Sequence, residues 1–405
     1  MKVLVVGSGG REHALAWQLS REGVDVLVAP GNPGIARSAD VQATDVEGLI
    51  ALAGRERVDL TLVGPEAPLA AGIVDAFAEH GLAAFGPTRA AARLEWSKAW
   101  TKDFLSRHRV PTSRAEVVAS ESDARKVIGH AGLPVVIKAD GLAAGKGVFV
   151  ALTQRDVEDA LDQLFRRGTL GSAAEQVVIE EFLEGPELSV LAFTDGERFW
   201  VMPPARDYKR LLDDDQGPNT GGMGGYTRPS YAPPDLIEEI SRRIFQPTLA
   251  GMLAEGHPYR GVLYAGLMIT RDGPRVLEFN SRFGDPECQL IMPLLDSSLA
   301  DICGAVVSGQ LQTEQIVWKH GRTYGVVLAA PGYPEAPHLG EPIFGLEAAA
   351  EDVLVFQAGT RRDEAGRLVT AGGRVLTIVG SERDHVYNAA AAIGFEGMQF
   401  RRDIG

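Results

Sequence analysis

The chain has 405 residues and a mass of 43.3 kDa, more than one hydrophobic core commonly serves, so two to four packed units are expected. With 45% hydrophobic and 23% charged residues, and no apolar run near the roughly 20 residues of a membrane span, it reads as a cytoplasmic globular protein. Two cysteines, Cys288 and Cys303, give neither a disulfide framework nor a thiolate zinc cluster, and a net charge of −14 works against nucleic acid and anionic membranes as partners.

Strands over 2–6, 25–29 and 60–63 alternate with amphipathic helices up to about residue 95, the pattern of an open parallel α/β sheet with ligands at its strand ends. The opening M-K-V-L-V-V-G-S-G-G is too short and glycine-rich for a signal-peptide core and reads as the first strand. The run G-S-G-G-R-E-H from Gly7 to His13 is then a strand-to-helix turn, where backbone N–H groups at Gly9 and Gly10, the helix dipole and the Arg11 cation suit a phosphate. The dinucleotide fingerprint fails, because Glu12 stands where its third glycine should be and no ribose-binding carboxylate closes the second strand. A turn that needs glycine for backbone reasons alone is the alternative. G-P-E-A-P, with Glu66, is a weaker companion at another strand end.

Residues 97–110 read as a helix carrying Lys102 and stopped by Pro111. A βαβ-like segment follows, with strands at 134–139, 147–152 and 176–181, as in a small ATP-binding lobe. Its glycine loop, D-G-L-A-A-G-K-G from Asp140, departs from the Walker A pattern both in spacing and in the residue after Lys146. Gly145, Lys146 and Gly147 could fold over a triphosphate while Lys138 reaches in from the strand; a solvated hairpin is the alternative. In V-V-I-E-E-F-L-E-G-P-E, the strand end at Glu180, Glu181 and Leu183 could hold an adenine by main-chain hydrogen bonds, and Glu187 a ribose diol. A surface acidic turn would look the same.

From residue 188 the strands read as antiparallel, and the polar glycine-rich run 213–225 is expected as a loop outside the core. A strand pair at 263–270 and 275–280 leads into V-L-E-F-N-S-R-F-G-D-P-E, ending at Glu287. A period of 2 puts Glu278 and Asn280 on one face, about 6.6 Å apart, and Leu277 and Phe279 on the other. Two such oxygens can converge on a hard cation at ligand distances of about 2.1 Å. A strand-rich tail begins near Thr323.

In this order and spacing, Lys102, Lys138, the A-A-G-K-G loop, Glu180 to Leu183, Glu187 and E-F-N at Glu278 resemble the ATP-grasp superfamily of carboxylate–amine ligases. The first-domain runs, G-P-N-T-G-G-M-G from Gly217 and the stretch to Glu287 resemble, within it, the glycinamide ribonucleotide synthetase family over essentially the whole chain.

The resemblance implies an α/β protein of three parts: an N-terminal open parallel sheet domain (1–100), an ATP-grasp domain (101–322) with a small mobile lid at about 120–187, and a strand-rich α+β C-terminal domain (323–405). It implies ligation of glycine to 5-phosphoribosylamine with ATP as co-substrate and Mg2+ or Mn2+ as cofactor, and transient contact with neighbouring purine-pathway enzymes. Glu278 and Asn280 would hold metal; Lys102, Lys138, Gly145, Lys146, Gly147, Glu180, Glu181, Leu183 and Glu187 would hold ATP. Gly9, Gly10, Arg11, Glu66, Gly284, Asp285 and Pro286 would bind substrate, with Arg282, Lys209 and Asp207 at the reaction. Two departures stand out: Tyr208 replaces a histidine of the family's S-Q-D-H-K, and Ser281 replaces a cysteine, with a side chain expected to turn away from the metal face. A formate- or bicarbonate-activating purine enzyme and a nucleotide-binding regulatory protein without turnover are the rival readings.

Overall fold

Aliphatic strands of the first hundred residues build a parallel sheet because both of its faces are covered by helices. The computed structural model describes residues 1–142, 147–167, 171–312, 316–348 and 352–405. Asp25–Pro30, Lys2–Gly7, Leu60–Val63 and Ala84–Phe85 lie side by side in that order, all parallel. Val3, Leu4, Val5 and Val6 are fully buried on both faces. The helix Gly10–Arg21 starts at the carboxyl end of this sheet, where open α/β sheets place their ligands.

A second sheet of four strands runs Ala115–Val118, Val177–Glu181, Val135–Ala139, Val148–Ala151, and every neighbouring pair is antiparallel. This corrects the βαβ reading. The helix Glu121–Ala131 does join two strands of the same direction, but Val177–Glu181 sits between them. The lobe has a core of its own, including Ile128, Val135, Ile137, Val157, Leu161, Val177 and Ile179.

The third sheet has nine strands. Gly273–Asn280, Arg260–Thr270, Glu187–Asp195, Ala205–Asp207, Gly224–Thr227, Tyr324–Ala329, Arg374–Gly380 and Val353–Gln357 follow one another, with Phe199–Val201 on Glu187–Asp195. The strand-rich tail is therefore an extension of the central sheet. The seam is Gly224–Thr227 against Tyr324–Ala329, and this corrects the expectation that 213–225 lies wholly outside the core. A Cβ on Gly224 would lie 2.2 Å from the Gly325 carbonyl oxygen, and one on Gly225 2.1 Å from that of Arg206. Glycine richness here marks close strand approach as well as a turn.

Leu188, Val190, Phe245, Val276 and Phe279 pack one side of this sheet, and Val326, Val375, Ile378 and Val386 its C-terminal half. A further cluster joins Val3, Leu15, Phe193, Leu290 and Phe356, so the first domain is packed onto the large sheet. Among the described residues no helix is long and apolar enough to cross a membrane. Cys288 and Cys303 are both buried and unpaired.

Candidate active site

A cleft opens between the small lobe, the helix Lys98–Arg107 and the end of the strand Gly273–Asn280. Ser97 caps that helix by accepting from the Trp100 N–H at 3.3 Å, which sets the phase that turns Lys98 and Lys102 into the cleft. Lys102 Nζ lies 3.0 Å from Glu180 Oε2, and Lys138 Nζ 3.0 Å from Glu180 Oε1. Ser113 donates to the same carboxylate at 2.6 Å.

Burial works against the Glu180 charge, but the ammonium groups of Lys138 and Lys102 outweigh it and hold this carboxyl below the usual range. Burial lowers Lys102 to about 8, only partly offset by Glu180. One buried carboxylate thus aims two lysines from two different elements.

The opposite wall carries Glu278 and Asn280. Strand register slips here: Gly266 faces Glu278 but Leu267 faces Val276, leaving Leu277 as the extra residue of a β-bulge. The expected alternation is broken accordingly, with Val276 and Phe279 buried and Leu277 half-exposed beside Glu278. The bulged Leu277 carbonyl accepts from Lys138 at 3.1 Å, tying the lobe to the wall that carries Glu278 and Asn280. Burial would raise Glu278, yet Lys209, Lys138 and Lys98 prevail and keep it below the usual carboxylate range. Arg282 donates to Asn280 Oδ1 at 3.2 Å and forms ion pairs with Glu66 at 3.3 Å and Glu95 at 3.0 Å.

Lys209 stands 3.1 Å from Glu187 and 3.6 Å from Glu278, and the Glu187 charge first of all raises it well above the ordinary lysine value. Glu187 therefore joins the Glu278 side of the site. Asp207, two residues away, has an Oδ1 without a hydrogen bond; burial and then the Glu287 carboxylate push it well up. Glu287 itself accepts from Ser189 at 2.9 Å and Tyr264 at 2.6 Å.

In the first domain, Glu12 occupies much of the loop. It accepts from the Gly9 N–H at 2.6 Å and from Arg11 Nε at 2.6 Å, and Gly7 and Gly64 leave room for its chain. Arg11 is buried and also donates to the Phe283 carbonyl at 3.2 Å. His13 accepts from the Gln357 N–H at 2.9 Å, and burial lowers it to about 4, so the neutral ring docks the C-terminal strand on this loop. Asp285 pairs with Arg374 at 3.3 Å and lies close to Gly9; Pro286 packs near Gly222, and Gly284 against Glu287.

Gly147 lines the cleft, whereas Gly145 and Lys146 lie outside the described residues. Glu181 pairs with Arg114 at 2.9 Å and Arg275 at 3.4 Å, and Leu183 is half-buried in the linker beyond it. Gly10 abuts Gln289. Sequence reasoning missed Lys98, Glu95 and Arg374. Lys98 had a readable signal, one helical turn before Lys102 on the same face. Glu95 and Arg374 had none. Among the described residues no group of three or more His, Cys, Asp or Glu side chains is arranged to hold a metal ion.

Three family models cover most of the chain: phosphoribosylglycinamide synthetase, N domain, over residues 1–95, its ATP-grasp (A) domain over 96–288, and its C domain over 323–405. The chain is 49% identical to the phosphoribosylamine–glycine ligase of Xylella fastidiosa (strain Temecula1), over 100% of this chain and 97% of that one. It is 48% identical to that of Ralstonia nicotianae, over 100% and 99%. The crystal structure of phosphoribosylamine–glycine ligase from Thermotoga maritima matches with a TM-score of 0.84 at 36% identity, covering 100% of each chain. The biotin carboxylase domain of the 2-oxoglutarate carboxylase of Hydrogenobacter thermophilus, in complex with MgADP, ADP and bicarbonate, shares the fold. Its TM-score is 0.75 at 14% identity, over 98% of this chain and 91% of that one.

Proposed function

The chain belongs to the phosphoribosylglycinamide synthetase family, and from that premise we propose how its own residues divide the work of joining glycine to 5-phosphoribosylamine. The reaction converts ATP, glycine and 5-phosphoribosylamine to ADP, phosphate and glycinamide ribonucleotide, in purine biosynthesis. The observation that carries the division is one cleft in which Lys98, Lys102 and Glu180 face Glu278, Asn280 and Arg282, with Lys138 buried behind the wall where it meets Lys102 on Glu180.

ATP lies in that cleft with its phosphates toward Lys98, Lys102 and Lys138. The adenine end lies toward the linker after Glu180 and Glu181, near Leu183. A glycine carboxylate oxygen attacks the γ-phosphorus and ADP leaves; the phosphoribosylamine nitrogen then attacks the carbonyl carbon of glycyl phosphate, loses a proton, and phosphate leaves. No protein nucleophile is needed, so the residues contribute alignment and charge. Arg282, fixed by Glu66 and Glu95, presents its planar cation to the carboxylate or acyl phosphate. Lys209 and Asp207 flank the reacting groups.

Glu278 and Asn280 offer a hard carboxylate and a hard amide oxygen on the cleft wall, a donor set that suits Mg2+ or Mn2+ completed by water and phosphate oxygens. When bound, such an ion neutralises the phosphates. Gly10, Arg11 and the Asp285–Pro286 turn lie at the sugar-phosphate end, while the Gly9 amide is already satisfied by Glu12. The small lobe, with its own core, closes over ATP as a lid. ATP supply and unpaired thiols suit the cytoplasm as the compartment.

Phosphate release on mixing the chain with ATP, magnesium, glycine and phosphoribosylamine tests this reading. Release should require both substrates. Release with formate or bicarbonate in place of glycine would favour the rival small-acid enzyme, and no release at all a nucleotide-binding regulator.

A further inference from the structure

Arg401, in the last described segment, has a side chain with no exposed surface. Its guanidinium pairs with Asp215 at 2.7 Å and Asp403 at 2.5 Å and lies 4.6 Å from the centre of the Tyr208 ring. It also donates to the Arg210 carbonyl at 3.2 Å. Two of these contacts, with Tyr208 and Arg210, fall on the residues immediately before and after Lys209. Arg206 covers Tyr208 as well, at 4.5 Å, and the ring sits in the C-terminal core, so the residue that departs from the family pattern faces away from Asp207 and Lys209.

The segment around Arg401 is laced to the turn beyond Lys209. The Arg402 N–H donates to Asp213 at 2.7 Å, and the Asp214 N–H to Asp403 at 3.0 Å. At the base of the same hairpin, the Thr220 N–H and hydroxyl both donate to the Lys209 carbonyl, at 2.7 and 2.9 Å. A fully buried guanidinium is costly to desolvate and is retained where its hydrogen bonds set register rather than bulk stability. Here the register at stake is that of Lys209, held between Glu187 and Glu278.

We infer that Arg401 is a positioning residue for Lys209, gripping the Tyr208 ring and the Arg210 carbonyl so that the ammonium stays between its two carboxylates. This inference rests on the placement of Lys209 at the reaction centre proposed above. The predicted signature is a loss in kcat without a matching loss of ATP binding, because the ATP lysines come from other elements.

The test is steady-state kinetics and thermal unfolding of the full chain carrying Arg401→Ala, Arg401→Lys, Asp215→Asn, Lys209→Ala, and Lys209→Ala with Arg401→Ala. Arg401→Ala should lower kcat about 10- to 100-fold, the cost of misplacing a reacting group by a fraction of an ångström to an ångström. The KM for ATP should stay within about threefold. Arg401→Lys, which keeps charge but not the planar fork, should recover only part of the loss. In the Lys209→Ala background Arg401→Ala should add little. Asp215 is on the surface, so Asp215→Asn should show a smaller loss of the same kind even if Arg401→Ala does not fold. Additive losses in the double variant, or a lower melting temperature with unchanged kcat, would overturn the inference. Wild-type kcat in Lys209→Ala would instead remove the placement of Lys209 on which it rests.

Discussion

In the cleft, Lys102 and Lys138 come from two elements and meet on Glu180 from a third; in the first-domain loop, Arg11 is held by its own neighbour Glu12. Both regions keep cations pre-paired with carboxylates, which lowers the cost of ordering long side chains when an anion arrives. The difference lies in reach. The cleft exists only when helix, lobe and bulged strand are assembled, whereas the loop's main ion pair is made between neighbours in sequence, with Phe283 and Gln357 docking on it from outside. On the proposed lid, the cleft is the part of the molecule that motion would switch.

Glu278→Gln should break the cleft most severely. It removes the proposed cation-binding charge from a residue with a side chain 36% exposed, so no cavity forms, and turnover should fall by about 100-fold or more, roughly 3 kcal/mol. Near-normal turnover at saturating magnesium would take this residue out of the proposed metal site.

A pH series separates the two regions next. Lys102, lowered to about 8 by burial, is charged below that pH and loses its proton above it in the empty protein. Bound phosphate favours the charged form, so ATP affinity should fall by up to about tenfold per pH unit above 8, with proton uptake on binding. Lys102→Met should flatten the profile. Binding at the Arg11 loop should show no such fall, since a guanidinium keeps its charge. Calorimetric titration from pH 7 to 10 measures both.

Hydrogen exchange with and without Mg-ATP probes the reach of the cleft. Protection should rise at Val135–Ala139 and Val148–Ala151 in the lobe and hardly change at Gly10–Arg21. Equal protection in both regions would deny the lobe its role as a lid. The smallest effect is expected for Ser281→Cys, which restores the family's residue. Ser281 is buried against Ala92, away from the cleft, so kcat should stay within about twofold, like other substitutions that touch no functional group.

The same contrast decides what the sequence could disclose. The Gly7–His13 run was readable as a strand-to-helix turn because that geometry is local, while the capture of the Gly9 amide by Glu12 and the contacts of Arg11 with Phe283 and of His13 with Gln357 were hidden, since G-S-G-G-R-E-H does not say which way its side chains fold. The cleft was readable only through resemblance, because Lys138 and Glu278 are remote in sequence and meet through a bulge at Leu277. Alternation alone places Leu277 with Phe279; one inserted residue reverses that. The run to Gly225 was misjudged for a related reason, as glycine signals both turns and strands pressed together. Nothing in Arg374 or Glu95 announces a partner across the fold, and the antiparallel order of the lobe depends on Val177–Glu181, a strand that arrives well after both of its neighbours, Ala115–Val118 and Val135–Ala139.

The most direct measurement is calorimetric titration of Mg-ATP into Lys138→Ala and Arg11→Ala, paired with steady-state titration of phosphoribosylamine. Each variant removes charge-assisted hydrogen bonds worth about 1.5–3 kcal/mol, a loss of roughly 10- to 150-fold in the affinity it serves. Lys138→Ala should lose ATP and keep the sugar phosphate; Arg11→Ala should do the converse. Loss of ATP binding in Arg11→Ala, with the phosphoribosylamine response intact, would place the nucleotide in the first domain and contradict the assignment of the cleft.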